Sequence, residues 1–330
     1  YALIDTSDVH TLMIAAAGTG KTTFFLEPNI EYCCAAGMSF ISTDTKGDIY
    51  RNCGYVAAKR YGYKISVIDL RNPLKSDGFN LLHLVKKYMD EHKNNPLNIS
   101  AKAKSERYAK IVADSIIAAD GDKYGANTYF YDAAKGLIAA LILIIAEYGN
   151  DKECHIVSVL KLMIELLEAK PQKKSQLKSE TYFADLIKLL PPEHKARWLS
   201  GAAINNADQA ALSVISTALS RLNSLIDTET EQILCFNTAI DTETLCKEKC
   251  AVFIVLPEED RTKYVIANLI IEQISREIYH IADENGGHLD KRIMIYFEEF
   301  GTMPPISGVE AMFSALRSRS VSIVAIIQSF

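Results

Sequence analysis

Two kinds of hydrophobic pattern divide this chain. Near both ends, short apolar runs of the length of a buried strand alternate with stretches of helical periodicity. Strands joined by helices at this spacing indicate right-handed crossovers and a mostly parallel sheet, so both ends of the chain predict an α/β fold. The predicted strands are 10–14, 39–43, 64–69, 251–256, 292–297 and 321–327.

The middle of the chain, from about residue 80 to residue 242, has almost no strand signals and shows helical periodicity instead. Polar or proline-containing breaks separate its segments. The stretch is long enough to bury a core of its own, so we predict an all-helical domain inserted into the α/β fold. The predicted helices of this insertion are 101–118, 128–148, 156–169, 181–190 and 207–226.

A glycine-rich segment, Ala15–Thr22, joins the first predicted strand to a helix, as in a phosphate-binding loop (P-loop), although its first position, usually Gly, is Ala. Gly18 and Gly20 allow dihedrals that turn backbone N–H groups onto an anion, and the helix N-terminus adds unpaired donors. Lys21 would reach the β- and γ-phosphates of ATP, and the Thr22 hydroxyl would bind Mg²⁺. The residues predicted to bind the nucleotide are Ala17, Gly18, Thr19, Gly20, Lys21, Thr22 and Thr23.

The predicted strand 292–297 ends in two carboxylates, Glu298 and Glu299. A nucleotide hydrolase needs one acidic group for the Mg²⁺ shell and another to polarise the attacking water, and parallel strands bring their carboxyl ends to one crevice. We predict that Glu298, where Asp is usual, helps to bind Mg²⁺ and that Glu299 is catalytic. Gln328 closes the last predicted strand, which we expect between the acidic strand and the P-loop strand, so that its amide faces the γ-phosphate or the water.

Composition adds only a few constraints on the partners and the cellular location of the protein. The net charge of the 330-residue chain is −5, so it carries no overall basic footprint for nucleic acid, although a local patch could still contact DNA. Its seven cysteines are odd in number and form no CxxC pair, which favours reduced thiols in a cytosolic compartment. The longest uncharged apolar run, 136–146, is shorter than the ~20 residues of a membrane span, so we expect a soluble fragment of a longer protein.

Three other features have competing interpretations. The segment Asp44–Gly47 also fits a GTPase pattern, but no Asn-Lys-x-Asp motif accompanies it. A tract of four lysines within 170–178 is expected to be a solvated loop, or alternatively a contact for DNA or an acidic partner tail. Trp198, the only tryptophan, is expected in the core.

Several segments spread along the chain resemble those of type IV secretion coupling proteins, the TraG-like conjugative DNA-transfer family. Their order and spacing, with a helical insertion between the halves, make the resemblance specific. Two of them, around residues 45 and 81, lack a proline that the family pattern has. The segments are Phe-Leu-Glu-Pro-Asn-Ile (25–30), Ser-Thr-Asp-Thr-Lys-Gly-Asp-Ile-Tyr-Arg (42–51), Phe-Asn-Leu-Leu (79–82), Phe-Glu-Glu-Phe-Gly (297–301), Arg-Ser-Arg (317–319) and Ile-Gln-Ser (327–329).

The resemblance implies a membrane-anchored, hexameric, RecA-like P-loop ATPase at the cytoplasmic face of the inner membrane. Such proteins receive a relaxase bound to single-stranded DNA and pass it to the secretion channel. It implies a nucleotide-binding domain formed by 1–79 and 243–330, and an all-alpha domain, 80–242, that helps to select substrate. Arg317 would be the arginine finger that reaches a neighbouring subunit, with Arg319 as the second choice. We expect the family's N-terminal membrane anchor to precede the part of the protein given by this sequence.

Two alternatives to an ATP-driven coupling motor stay open from the sequence. The Ala at the start of the P-loop and the Glu in place of Asp fit a nucleotide-binding adaptor that docks cargo through its helical domain without turnover. A DNA translocase of the FtsK type would share the P-loop and the acidic strand, although the helical insertion and the late Arg and Gln residues favour secretion.

Overall fold

A computed structural model of the chain describes residues 7–118, 128–167, 182–201, 208–260, 263–303, 306 and 308–328. The chain forms two compact units. The first, here called the sheet unit, consists of the residues up to Gly78 together with those from Thr238 onwards. The second, the helical unit, is Phe79–Asn237.

The sheet unit contains one six-stranded sheet in which every strand pair is parallel. The strand order is β1-β6-β5-β2-β4-β3, so strands from both ends of the chain are mixed within one sheet. This confirms the predicted α/β fold with a parallel sheet and a helical insertion. The strands are β1 (Thr11–Ile14), β2 (Ser39–Asp44), β3 (Lys64–Asp69), β4 (Cys250–Val255), β5 (Ile293–Phe297) and β6 (Val321–Ile327).

β6 lies between β1 and β5, as the sequence predicts for the strand that follows the acidic one. Ile14 at the end of β1 is opposite Ile327 at the end of β6, and Phe297 at the end of β5 is opposite Ala325. Because the strands are parallel and nearly in step, the segments that follow them emerge at one edge of the sheet. The loop after β1 and the carboxylates after β5 therefore share that edge.

The expectation that the first strand is buried is wrong. β1 pairs only with β6 among the strands described, so it forms an edge of the sheet. Its side chains are largely exposed, with Leu12 at 55% and Ile14 at 46%. In contrast, all six residues of the central β2 are buried, because strands flank it on both sides and helices cover parallel sheets.

Thirteen helices are assigned within the described residues, and α3 to α10 belong to the helical unit. They are α1 (Glu27–Ala36), α2 (Tyr55–Tyr61), α3 (His83–Asn94), α4 (Ile99–Ala118), α5 (Thr128–Tyr148), α6 (Ile156–Leu167), α7 (Tyr182–Leu189), α8 (Lys195–Leu199), α9 (Asp208–Asn223), α10 (Glu231–Leu234), α11 (Thr242–Lys247), α12 (Tyr264–Glu284) and α13 (Val309–Ala315).

The helix after the P-loop begins as a wide π-type segment, Lys21–Leu26, and becomes α-helical at Glu27. Pro28 stands in the first turn of α1, directly after the wide segment, and it has no N–H to donate to a carbonyl of that segment. The Asn29 side-chain amide donates to the Phe25 carbonyl at 2.7 Å, which satisfies an acceptor in the wide segment. Pro28 therefore changes the helix type without ending the helix, and the adjacent Asn compensates for the change.

The helical unit packs around α5, whose residues from Leu137 to Ala146 are all buried. By length and composition α5 could cross a membrane, but 67% of its most apolar window is buried within the protein, as in the core helix of a soluble domain. The sequence prediction missed α3, whose polar residues dilute its apolar stripe. Trp198, expected in the core, is 61% exposed because its indole N–H donates to the Pro192 carbonyl at the surface.

Candidate nucleotide-binding site

The P-loop has the backbone that its sequence predicts. Gly18 and Gly20 have φ of +76° and +82°, in the left-handed region that favours glycine. At Gly20 a Cβ atom would also lie 2.4 Å from the Phe24 ring, so the position needs glycine for two reasons. The loop leaves β1 beside the end of β6, where the Ala15 N–H donates to the Ile327 carbonyl at 3.2 Å.

Alanine at the first position of the loop does not disturb this geometry. Ser320 is the only residue other than glycine with a positive φ among those described, so Ala15 and its two neighbours keep ordinary backbone conformations. The departure from the usual glycine therefore causes no left-handed backbone strain in this chain.

Lys21 lies at the start of the helix and curls back over the loop. Its Nζ donates to the carbonyls of Ala15 at 2.8 Å and Ala16 at 3.4 Å. The Thr19 hydroxyl also donates to Ala16, at 2.8 Å. The ammonium group is thus held over the loop, where an incoming phosphate could replace the two carbonyls as its partner.

Glu298 links the acidic strand directly to the P-loop. Its Oε1 accepts a hydrogen bond from the Thr22 hydroxyl at 3.1 Å, although 276 positions separate the two residues. Neighbouring oxygens in the octahedral shell of Mg²⁺ lie about 2.9–3.0 Å apart, because each is 2.0–2.1 Å from the ion. The pair therefore has the spacing of adjacent Mg²⁺ ligands, and the longer side chain of Glu reaches the P-loop.

The other oxygen of Glu298 is held by the loop that follows β2. Its Oε2 accepts from the Thr45 backbone N–H at 2.9 Å and from the Thr45 hydroxyl at 3.1 Å. The Glu298 N–H in turn donates to the Thr43 hydroxyl at 3.0 Å. Glu298 is only 6% exposed, and these contacts fix its side chain with Oε1 directed to Thr22.

Burial raises the pKa of the Glu298 carboxyl above its ordinary value. Hydrogen bonds from Thr45 and Thr22 act in the opposite direction, and the negative charge of Asp44 raises the pKa further. A buried carboxylate next to another carboxylate favours a cation, since a positive charge would offset both unfavourable effects. The electrostatics of the site therefore support metal binding.

Asp44, at the end of β2, stabilises the same loop through hydrogen bonds to its backbone. Its carboxylate accepts from the backbone N–H groups of Gly47 at 2.7 Å and Tyr50 at 2.8 Å, so it caps the turn that starts the following helix. Burial raises the pKa of Asp44 as well. These contacts make Asp44 a structural group, and neither Asp44 nor Thr45 was among the site residues predicted from the sequence.

Glu299 and Gln328 meet at the edge of the sheet. The Gln328 side-chain amide donates to Glu299 Oε1 at 2.7 Å. Gln328 is the first residue after β6, and Glu299 is the second residue after β5. Glu299 is more exposed than Glu298, so one carboxylate is directed inward to Thr22 and the other towards solvent. The separate roles of the two residues, in metal binding and in catalysis, stay a prediction.

Arg317 is not part of this cluster. Arg317 precedes β6, whereas Gln328 follows it. Because a seven-residue strand spans about 20 Å, Arg317 lies at the amino ends of the strands, opposite the carboxyl ends that carry the P-loop. Its side chain is exposed and makes no ion pair with any residue described. Arg319, the second choice for an arginine finger, pairs with Asp283 at 3.0 Å and lies over the Tyr279 ring.

The structure thus brings together the P-loop, Glu298, Glu299 and Gln328, and leaves Arg317 outside.

Thr23 is exposed beside a cavity of about 240 Å³ between α1 and α2. No group of three or more His, Cys, Asp or Glu side chains forms a metal site in the part of the chain described. Mg²⁺ needs fewer protein ligands, since it keeps waters and phosphate oxygens in its shell. The lysine tract of 170–178 lies outside the described residues.

Comparison with known proteins identifies the family. A family model described as "Type IV secretory system Conjugative DNA transfer" matches residues 2–330. The chain therefore belongs to this family, as the sequence motifs predict. Comparison with curated protein sequences gave no match.

Solved structures share the fold. The unbound bacterial conjugative coupling protein TrwBdeltaN70 is similar with a TM-score of 0.60 and 11% identity, over 97% of this chain and 61% of that one. Plasmid coupling protein TrwB in complex with ADP and Mg²⁺ gives a TM-score of 0.62 at 12% identity, over 97% and 63%. Its complex with the non-hydrolysable ATP analogue ADPNP gives 0.60 at 12% identity, over the same shares. The chain thus spans about three-fifths of these proteins, and the likeness confirms the RecA-like fold.

Proposed function

We propose that this chain is the motor part of a coupling protein that hydrolyses ATP to drive relaxase-bound DNA, or a protein substrate, into a type IV secretion channel. The observation that carries the proposal is the 3.1 Å contact between Thr22 and Glu298, which joins the P-loop to the acidic strand. The family match and the ADP and Mg²⁺ bound by TrwB support it.

Each residue of the site has a role in this proposal. Lys21 leaves the carbonyls that it now contacts and neutralises the β- and γ-phosphates. Thr22 and Glu298 would hold Mg²⁺, which would supply positive charge next to the phosphates. Glu299 orients the attacking water, and Gln328 keeps that carboxylate in place through its 2.7 Å contact. The backbone N–H groups between Ala17 and Thr23 bind the phosphate oxygens.

Arg317 completes the site only in an assembly. Its exposed position at the far edge of the sheet suits a residue that reaches the nucleotide of a neighbouring subunit, so the proposal includes a homohexamer. A membrane anchor preceding this chain would place it at the cytoplasmic face of the inner membrane. The helical unit would receive the relaxase with its single-stranded DNA, next to components of the secretion channel.

ATP turnover by the full-length protein, with and without single-stranded DNA, tests the motor. Lys21→Ala should lower turnover at least 100-fold, since the lysine contacts the transferred phosphoryl group, whereas Lys59→Ala on the surface of α2 should not change it. Glu299→Gln should abolish turnover and keep ADP binding.

Other results would favour the alternatives. Wild-type protein that binds ATP without Lys21-dependent turnover would contradict the motor and support the adaptor. Turnover that moves DNA but does not require the relaxase would support a translocase of the FtsK type, which the family match disfavours.

A further inference from the structure

Arg71 lies next to the loop that holds Glu298, although it follows β3, two strands away from β2. Its Nη2 donates to the Thr45 carbonyl at 2.6 Å and its Nη1 to the Lys46 carbonyl at 3.0 Å. One guanidinium group thus spans two successive carbonyls of this loop. A planar fork of donors makes such a two-point contact, which a single ammonium cannot reproduce.

The backbone of Arg71 is itself fixed. Asp69 Oδ1 accepts from the N–H groups of Arg71 and Asn72, both at 3.0 Å, and the Leu70 N–H donates to the Val255 carbonyl at 3.0 Å. The side chain therefore starts from an anchored turn at the same edge of the sheet as the P-loop. Although Arg71 is exposed overall, its contact with Thr45 is partly buried.

Thr45 is the link between Arg71 and the metal ligand. It is 4% exposed, and it gives both its N–H and its hydroxyl to Glu298 Oε2. The carbonyl of the same residue accepts from Arg71, so the arginine fixes Thr45 from the side opposite Glu298. With Oε2 occupied by two protein donors, Oε1 is the oxygen directed to Thr22.

From this chain of contacts we propose that Arg71 is a positioning residue for the Mg²⁺ site, acting through Thr45 on Glu298. The inference rests on the proposed function. Arg71 binds neither nucleotide nor metal in this account; it keeps the loop after β2 in the one conformation that aims Glu298 at Thr22. Partners one shell away from a metal ligand typically change metal affinity 10- to 100-fold when they are lost.

Binding of a fluorescent ADP analogue to the full chain, titrated with Mg²⁺ and repeated in EDTA, tests the proposal. Arg71→Ala should weaken the apparent Mg²⁺ affinity about 10-fold, the lower end of that range, because Arg71 acts on Glu298 through Thr45 and not directly. It should change ADP binding in EDTA less than about twofold. Arg60→Ala, which removes an exposed arginine paired with Glu31, is the matched control and should change neither quantity. An Arg71→Ala curve that overlies the Arg60→Ala curve would overturn the inference.

Two further variants separate positioning from a general loss of structure. Arg71→Lys keeps the charge and loses the two-point contact, so it should weaken Mg²⁺ affinity several-fold even if Arg71→Ala does not fold. In a Glu298→Gln background, Arg71→Ala should cause no additional loss, because its effect passes through Glu298. Equal losses in both backgrounds would contradict the proposed route.

The Mg²⁺ titration of the wild type distinguishes failure of the role proposed for Arg71 from failure of the proposed Mg²⁺ site. Mg²⁺-dependent ADP binding in the wild type that Arg71→Ala and Arg71→Lys leave unchanged would overturn only the role of Arg71. ADP binding in the wild type that does not respond to Mg²⁺ would overturn the proposed metal site and, with it, the role of Arg71.

Discussion

Glu298 shows how one side chain can connect distant parts of a sequence. It is buried, it bonds to Thr22 through one oxygen and to Thr45 through the other, and its backbone N–H bonds to Thr43. Glu, in place of the usual Asp, therefore matches the positions of its hydrogen-bond partners in this site. The extra methylene lets the carboxylate reach the P-loop from the end of β5.

The raised pKa of Glu298 leads to a prediction about stability. A carboxyl whose pKa is higher in the folded state makes the free energy of unfolding fall as pH rises from its unfolded value, about 4.3, to its folded value. Glu298→Gln removes this contribution. In the absence of metal, the melting temperature of the variant relative to wild type should therefore be higher at pH 7.5 than at pH 4.5.

Thermal unfolding by circular dichroism in EDTA at the two pH values measures this difference. Comparison with wild type at each pH largely cancels the titration of Asp44, whose pKa burial also raises. Glu299→Gln provides a control for losing a neighbouring carboxylate. A melting temperature of Glu298→Gln, relative to wild type, that is equal at the two pH values or lower at pH 7.5 would show that burial does not raise the pKa of Glu298.

Only some of the residues around Glu298 could be predicted from the sequence. The P-loop, Glu298, Glu299 and Gln328 follow predicted strands, so their types and positions suggested a site. Thr45 and Arg71 lie in loops after other strands, and only the strand order shows that these loops meet. Nothing in the spacing of Arg71 from the P-loop indicates a shared edge, because β4, which separates β3 from β2 in the sheet, comes some 180 residues later in the chain.

At the scale of elements, the P-loop depends on two glycines for different reasons. Both have positive φ, which costs a residue with a Cβ roughly 1–2 kcal/mol. A Cβ at Gly18 would meet nothing within 4 Å, whereas one at Gly20 would collide with the Phe24 ring. Phe24 is 82% exposed, so its ring covers the glycine without being part of the core.

A double-mutant cycle separates the two effects at Gly20. Gly18→Ala should lower the free energy of unfolding by about 1–2 kcal/mol, and Gly20→Ala should lower it by more. In a Phe24→Ala background, Gly20→Ala should cost only as much as Gly18→Ala, because the collision is gone and the strained φ stays. Chemical denaturation measures all four variants, and equal costs in both backgrounds would exclude the steric contribution.

Elements with a clear pattern were the ones that could be predicted. The strands and the long helices follow from apolar runs and helical periodicity, and they match the observed bounds within a few residues. The burial of β1 was wrong because an apolar run does not reveal whether a strand lies at an edge. The π-type segment Lys21–Leu26 was also beyond prediction, since a wide helical turn has no hydrophobic period of its own in the sequence.

At the scale of the whole molecule, the sheet unit is completed by residues on both sides of the helical insertion. Gly78 and Thr238, which flank the insertion, form a parallel bridge, and the Ala239 N–H donates to the Gly78 carbonyl at 3.3 Å. The insertion therefore leaves and re-enters the sheet unit at adjacent points. Such a connection allows two units to fold without sharing a core.

Excision of the insertion tests this independence. A fragment of residues 79–237 should be helical and should unfold cooperatively, because its core around α5 is buried within the unit. A second variant that joins Gly78 to Thr238 through a short glycine-serine linker should keep Mg²⁺-dependent ADP binding. Circular dichroism and ADP titration measure the two outcomes, and loss of folding in either piece would show that the units depend on each other.

The central claim is that the two ends of the sequence form one Mg²⁺–nucleotide site. Crystallography of the chain with ADP and Mn²⁺, using the anomalous signal of manganese, tests it most directly. We predict a metal peak bound to the Thr22 hydroxyl and adjacent to Glu298 Oε1, with Lys21 moved from the Ala15 carbonyl to the β-phosphate. A metal or nucleotide bound away from Thr22 and Glu298 would contradict the account.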